Sequence, residues 1–461
     1  MTFETYQSPF TWRYGSDEMR NIWSETHKRH LWRRIWVGIA QAQMPYGLVT
    51  PAQMDELKAH AEDVDMQRAL QIEAEIHHDL MAELKTFAEQ CPQAGGILHM
   101  GATSMDIEDN ADVLRMREAL DILLAKLKLL LEALAEKIET WADTPIMAFT
   151  HIQPAEPSTL GYRLSMYAQD LLEDYLALTT IRIQLRGKGF KGAVGTGAAY
   201  VHLVGENNFP IFEAHMSTLL DLPFFPVSTQ TYPRKQDYQL ISALAGLGQS
   251  LYKFAFDLRL LQSPVIGEVA EPFGSKQVGS SAMPFKRNPI QSEKIDSLAR
   301  VLAGMPQVAW QNAASSLLER TLDDSANRRT LLPEAFLICD ELIKSMLGIV
   351  AGLDVRKQII HQNLSDYAPF AATESLLMEL AKKGADRQEM HEHLRRLTLK
   401  AWQVVFEGKP NPLPEMIKND PVILGYLPEN EITVLLDASS HTGIAPQRAH
   451  WMARKIQEVL A

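Results

Sequence analysis

Cysteine is scarce in this 461-residue chain: Cys91 and Cys339 are the only two. They allow one bridge at most and have no metal-ligand spacing, so reduced thiols in a cytosolic protein are the expected state. Basic residues are outnumbered as well. The formal net charge of −12 argues against nucleic acid as the main partner, since phosphate backbones are met by a basic face. An anionic ligand must therefore find a local cluster of cations. No stretch of about 18 uninterrupted apolar residues is present, and residues 1–20 lack an apolar signal core. These absences predict a soluble, untargeted, cytoplasmic protein with no membrane partner. His77-His78-Asp79 stands outside any His-Glu-x-x-His or Cys/His pattern, so no bound metal is expected.

What is present is long helical patterning. From Asn110 to Trp141 apolar residues recur at helical spacing, among them Val113, Leu120, Leu123, Leu127, Leu130, Leu134 and Ile138. Similar patterns cover roughly 158–185, 236–262, 292–318 and 331–353, and five long helices make a bundle. Residues 1–108 read as shorter helices forming an N-terminal domain, 109–364 as the central long-helix bundle, and 365–461, rich in proline from Pro369 onward, as a helical cap. Strand-like alternation is confined to short pieces such as Phe225 to Tyr232. The expected fold class is all-α.

Four polar segments interrupt the helices. The loop Gly279-Ser280-Ser281-Ala282-Met283-Pro284-Phe285-Lys286-Arg287-Asn288-Pro289 brings hydroxyls, cations and an amide together where two prolines forbid regular structure. Such a loop suits anion handling and proton transfer, although a plain polar connection is the alternative. The others are His99 to Asn110, Phe149 to Pro154 around His151, and Glu319 to Arg329. Arg320, Arg328 and Arg329 lie near Asp323 and Asp324, which fits either a solvated salt-bridge cluster or a carboxylate and phosphate site. The run Gly187 to Gly197 lacks the Gly-Lys-Ser/Thr ending of a phosphate loop, and is either a structural connection or a border of the site.

His99 and His151 flank a predicted helix of about 30 residues, roughly 45 Å at ~1.5 Å per residue. They cannot share a site within one chain, so either they serve different sites or a symmetric oligomer joins opposite helix ends.

In order and wording these motifs resemble the adenylosuccinate lyase branch of the fumarase/aspartase superfamily, from Arg13-Tyr14 through Ser365-Asp366 and beyond. Ala282-Met283-Pro284-Phe285-Lys286-Arg287-Asn288-Pro289 carries the superfamily signature, and Gln230-Thr231-Tyr232-Pro233-Arg234-Lys235 with Glu319 to Arg329 point to the branch. The resemblance implies elimination of fumarate from adenylosuccinate to leave AMP, and from succinylaminoimidazole carboxamide ribotide to leave the aminoimidazole carboxamide ribotide. It implies a homotetramer with a 20-helix core, sites built from three subunits, a small-molecule nucleotide substrate and no cofactor. Ser280 would be the general base and His151 the general acid, with Glu293 orienting His151, and His78 and Lys286 would complete the catalytic set. Arg13, Tyr14, Arg320, Ser325 and Arg329 would hold the phosphate and ribose, Thr103, Ser104 and Asn288 the succinyl end, and Gln230 a polar group of the substrate. The chain departs from the pattern at Phe285, Lys294 and His77. A different fumarate-releasing lyase, of the argininosuccinate type, and a non-catalytic helical scaffold are the alternative readings.

Overall fold

The computed structural model describes residues 3–461. Five helices come first: α1 (Asp17–Ile22), α2 (Glu25–Gln43), α3 (Pro51–His60), α4 (Met66–Ile76) and α5 (Asp79–Gln90). Then follow α6 (Ser104–Thr140), the hairpin β1 (Pro145–Thr150) and β2 (Gln153–Thr159), α7 (Leu160–Gln184), α8 (Ala198–Val204), α9 (Phe209–Leu220) and α10 (Lys235–Gln262). Strand β3 (Val269–Ala270), α11 (Ile290–Ala314), α12 (Asp323–Ala351), β4 (Asp354–Val355), α13 (Lys357–Lys382) and α14 (Arg387–Phe406) continue the chain. It closes with α15 (Leu413–Lys418), α16 (Pro421–Leu424), α17 (Glu429–Leu435) and α18 (Ala445–Leu460). The fold is all-α, as the periodicity predicts, and no helix among the described residues is long and apolar enough to cross a membrane.

All five predicted long helices form. In α6, Leu120, Leu123, Leu127, Leu130, Leu134 and Ile138 are fully buried, the stripe that a 3.6-residue period requires. Two of the helices start earlier than their apolar patterns. α6 opens at Ser104 rather than near Asn110 because Asp106, Asp109 and Asn110, which read as loop, are buried and bonded. α12 opens at Asp323, where two acids suit the partial positive charge of a helix N-terminus. Pro369, expected to mark a change to short helices, lies inside the 26-residue α13.

The strands depart from expectation too. Phe225 to Tyr232 is irregular, and the segment around His151 is instead an antiparallel hairpin pairing Thr150 with Gln153 and Phe149 with Pro154. Its two-residue turn, His151-Ile152, has φ of 54° and 61°, the geometry of a type I′ turn. Three prolines, at 145, 154 and 157, disguised these strands, since proline is tolerated only at strand edges and bulges.

The chain divides into two compact units. One comprises residues through Leu127 with Asp174–Gln249 and Ser297–Lys344, the other Lys128–Glu173, Ser250–Asp296 and Ser345–Ala461. In the second, Met147 of the hairpin joins Leu376, Leu380, Ala401, Leu413 and Ile432 in one apolar core. Helix α7 begins against the α6 terminus: a Cβ on Gly161 would lie 2.6 Å from the Ile138 carbonyl oxygen, so only glycine allows that approach.

In the first unit the core is partly ionic. Asp106 is fully buried and accepts from the Lys188 ammonium, from the Lys191 and Gly192 amides at 3.2 and 3.1 Å, and from the Thr103 amide at 3.0 Å. Lys191 turns to Glu213. The glycine-rich run 187–197 is thus fastened to α6 with both lysines already paired, so no lysine of the run is left as a phosphate cradle. Asp106→Ala would strand the buried Lys188 charge, and a loss of about 3–5 kcal/mol of stability in denaturant titrations is expected. A loss below ~1 kcal/mol would show that the pair holds nothing.

Candidate active site

The first unit contains a pocket walled by α2, α5, α6 and α12, with Lys28, Asp79, Glu108, Arg320, Ser325 and Arg329 on its surface. Helix geometry puts them there. Met105, Glu108, Asp109, Asp112 and Arg115 repeat every three or four residues along one face of α6, and Ser325, Arg328, Arg329 and Leu332 do so on α12.

The arginines of 319–329 are not one solvated cluster. Arg328 is buried, donating to Asp237 at 2.8 Å and to the Tyr232 hydroxyl at 2.7 Å. Arg320 meets Asp324 at 2.7 Å, and Arg329, still 56% exposed, meets Asp79 at 2.8 Å. Behind them Arg234 bridges Asp109 at 2.9 Å and Asp324 at 2.6 Å. Burial pulls the Asp79 carboxyl upward, yet the Arg329 guanidinium outweighs it and holds the group below its ordinary range.

Other expected residues of this unit lie on neighbouring backbone. His78 caps α5, its Nδ1 accepting from the Met81 amide at 3.4 Å. Thr103 and Ser104 stand at the α6 N-terminus, and the Gln230 amide donates to the Glu319 carbonyl at 3.2 Å, fixing the two segments together. Arg13 lies over the Trp12 ring at 4.4 Å, and the Tyr14 carbonyl accepts from Arg20 at 2.8 Å. The Arg13-Tyr14 segment leads into Gly15 and Ser16, whose amides bond Glu341 at 3.1 Å and Asp340 at 2.6 Å.

The second unit carries the rest. The Ser280 Oγ accepts from the amides of Ala282 and Met283 at 3.3 and 3.1 Å, so two backbone dipoles already point at that oxygen. Asn288 Nδ2 donates to the Gly279 carbonyl at 2.8 Å, closing the loop, while Lys286 stays exposed. Glu271, which sequence reasoning missed, is buried and accepts from the Gln291 amide, the Ser292 amide and the Ser292 hydroxyl at 3.1, 2.9 and 2.9 Å. It thereby anchors the start of α11, one residue before Glu293. Glu293 itself lies 3.7 Å from Arg259, and His151, exposed at the hairpin tip, makes no hydrogen bond or ion pair with Glu293 among the described residues.

Residues 13–304 match the family described as Lyase, and 369–450 that described as Adenylosuccinate lyase C-terminus. The adenylosuccinate lyase of Schizosaccharomyces pombe is 37% identical over 100% of this chain and 96% of its own. That of Saccharomyces cerevisiae is 38% identical over 98% and 95%. The chain belongs to the adenylosuccinate lyase family. Its fold is shared more widely. A 3-carboxy-cis,cis-muconate lactonizing enzyme from Pseudomonas putida superposes with a TM-score of 0.88 at 25% identity, over 99% of this chain and all of that one. A fumarate lyase from Mesorhizobium sp. BNC1 does so at 0.85 and 23%, over 98% and 99%.

In this member of the adenylosuccinate lyase family, Glu108 lies in the pocket and in the polar segment 99–110, yet it was not among the expected site residues. The only available signal was the density of acids in the first turns of α6. Burial first, then Asp79, Asp112 and Asp109, push its carboxyl up to about 8. The folded chain therefore holds this proton where the unfolded chain has released it, and stability falls as pH rises from about 4.5 to about 8. In Glu108→Gln that loss should vanish, leaving the variant about 2–4 kcal/mol more stable at pH 8 than the native chain but not at pH 4. Urea titrations at the two pH values check this, and equal differences at both would refute it.

Proposed function

We propose that this chain is a carbon–nitrogen lyase that eliminates fumarate from adenylosuccinate to give AMP, and from succinylaminoimidazole carboxamide ribotide in the same pathway of purine synthesis. The observation that carries the reading is the end-to-end match to yeast adenylosuccinate lyases, and the chemistry of both clusters supports it. The substrate is a small nucleotide and the setting cytoplasmic.

The succinyl carbon that loses its proton is only weakly acidic. Ser280, as the alkoxide, takes that proton, and the Ala282 and Met283 amides that already point at its oxygen favour the charged form. The electron pair moves into the adjacent carboxylate, which Lys286, Thr103, Ser104 and Asn288 stabilise. The carbon–nitrogen bond then breaks, the nitrogen keeps the pair, and His151 protonates it. Glu293 keeps His151 basic and oriented, with His78 beside it. Arg320, Ser325 and Arg329, together with Arg13 and Tyr14, hold the phosphate and ribose, and Gln230 meets a polar group.

The site is assembled from several copies of the chain, in a homotetramer. Helix α6 alone has 37 residues, about 55 Å at 1.5 Å per residue. His78, Thr103 and Ser104 come at or before its first turn in the chain, and His151 after its last. The long helices also expose Leu129, Ile183, Phe256, Val301 and Trp310, at 50% or more each, apolar surface that a single chain leaves uncovered. In the tetramer the Glu293 carboxylate pairs with the His151 of a different copy.

Incubation with adenylosuccinate should yield AMP and fumarate in equal amounts by chromatography; a folded protein that binds adenylosuccinate and releases neither would sink the reading. Ser280→Ala and His151→Ala should each lower kcat by about 10²-fold or more with the fold preserved. Mixing the two inactive variants under verified subunit exchange should restore part of the activity. Exchange without recovery would rule out the shared site.

A further inference from the structure

Glu108 stands out among the acids of the first-unit pocket because it forms no ion pair, although the Arg329 charge is felt there. Glu25 lies 2.7 Å from Lys28, Asp79 2.8 Å from Arg329, Asp109 2.9 Å from Arg234 and Asp112 3.2 Å from Arg328. Among the described residues Glu108 makes no hydrogen bond or ion pair, and its side chain lines the same cavity as Arg320, Ser325 and Arg329.

Within one chain, the charged groups around Glu108 come from several elements. Facing the cavity are Glu25 and Lys28 on α2, Asp79 on α5, and Asp109, Asp112 and Arg115 on α6 itself. Arg234, before α10, and Arg320, Arg328 and Arg329, at and beyond the turn into α12, complete the wall. Most of these cations are engaged by other carboxylates, so the net field at Glu108 is that of its acidic neighbours and of burial, with Arg329 opposing.

We propose that Glu108 is a specificity-determining residue of this pocket, presenting a neutral carboxylic acid that donates a hydrogen bond to an anionic oxygen of a phosphate-bearing ligand. The inference rests on the nucleotide reading above and adds a residue and a proton to it. A carboxylate is an acceptor only and would repel a phosphate dianion, whereas the acid form supplies the donor that a third cation would otherwise have to provide. Linkage makes the effect reciprocal: the ligand's charge strengthens the hold of Glu108 on its proton, so above the point where the free pocket loses that proton, ligand and proton bind together. Phosphate gives up its own second proton near pH 6, so uptake at about pH 8.5 belongs to the protein.

The test is calorimetric titration of the full chain with AMP from about pH 6.5 to 9.5, in pairs of buffers differing in ionisation enthalpy. In the native protein affinity should be level to about pH 8 and then fall about tenfold per pH unit, with uptake approaching one proton per site. Glu108→Gln keeps a donor and cannot ionise. Its AMP binding should show neither the fall nor the uptake. Glu108→Met, equally unable to ionise, serves if the glutamine variant does not fold. Native protein that takes up no proton at pH 8.5, or a variant that takes up as much as native, overturns the proposal. Arg329→Ala separates the two layers. Weakened AMP binding there, alongside unchanged proton uptake in Glu108→Gln, removes the role of Glu108 alone. Unweakened binding removes the phosphate placement and this inference with it.

Discussion

The first turns of α6 carry the carboxylates on which the rest of the first unit hangs. Asp106 gathers the glycine-rich run through Lys188 and the Lys191 and Gly192 amides, and Asn110 adds the Gly189 carbonyl at 3.1 Å. One turn on, Asp109 accepts from the Tyr232 amide at 2.9 Å and from Arg234. Arg234 passes the connection to Asp324, and so to Arg320 and the head of α12. A buried carboxylate is costly unless every lone pair is used. Because these are used by backbone from three separate loops, the cost is offset only in the folded arrangement. That makes the ionic core a device for register: it sets which face of α12 looks into the pocket.

The same logic divides the arginines. Arg234 and Arg328 are buried with their donors committed to carboxylates and to Tyr232, so neither can turn to a ligand without leaving a buried charge unpaired. Arg329 holds one carboxylate and is half exposed, and Arg320 holds one end of Asp324. An incoming phosphate can join these pairs rather than break them, since a guanidinium has five donors in a fork. A sequence run of three arginines thus contains two different jobs, and only burial tells them apart.

The long helices and their stripe were legible in the sequence because α6, α7, α10, α11 and α12 each repeat the helical period over many turns. The motif positions were legible because mixed polar chemistry sits where periodicity stops. The hairpin was not: His151-Ile152 needs positive φ at both residues, and a β-branched residue there is the opposite of the usual turn signal. The start of α6 was hidden because Asp106 to Asp112 reads as solvated until its partners, 82 to 125 residues further on for Asp106 and Asp109, are known. Glu271 and Glu108 were missed for a related reason. Each acts through what surrounds it in space: Glu271 stands outside the polar segments, and Glu108 lies within one, 99–110, that says nothing of burial.

The two clusters differ in what they still require. Around Arg320 and Arg329 the chain supplies walls, counter-charges and fixed backbone, so the pocket is nearly finished within one unit. Around Ser280 it supplies donors aimed at one oxygen, with Asn288 closing the loop and Glu271 fixing its exit, yet Lys286, Phe285 and His151 face solvent. An alkoxide in water is quickly protonated, and electrostatic stabilisation is weak at high dielectric. A loop so ordered and so uncovered suits a reaction only when another surface excludes the water. In this chain the uncovered apolar faces of the long helices are the surfaces that assembly would bring together. On the proposed reading, proton abstraction at Ser280 and quaternary structure are one requirement, because the low dielectric that such a base needs would come from a contact that buries those helices.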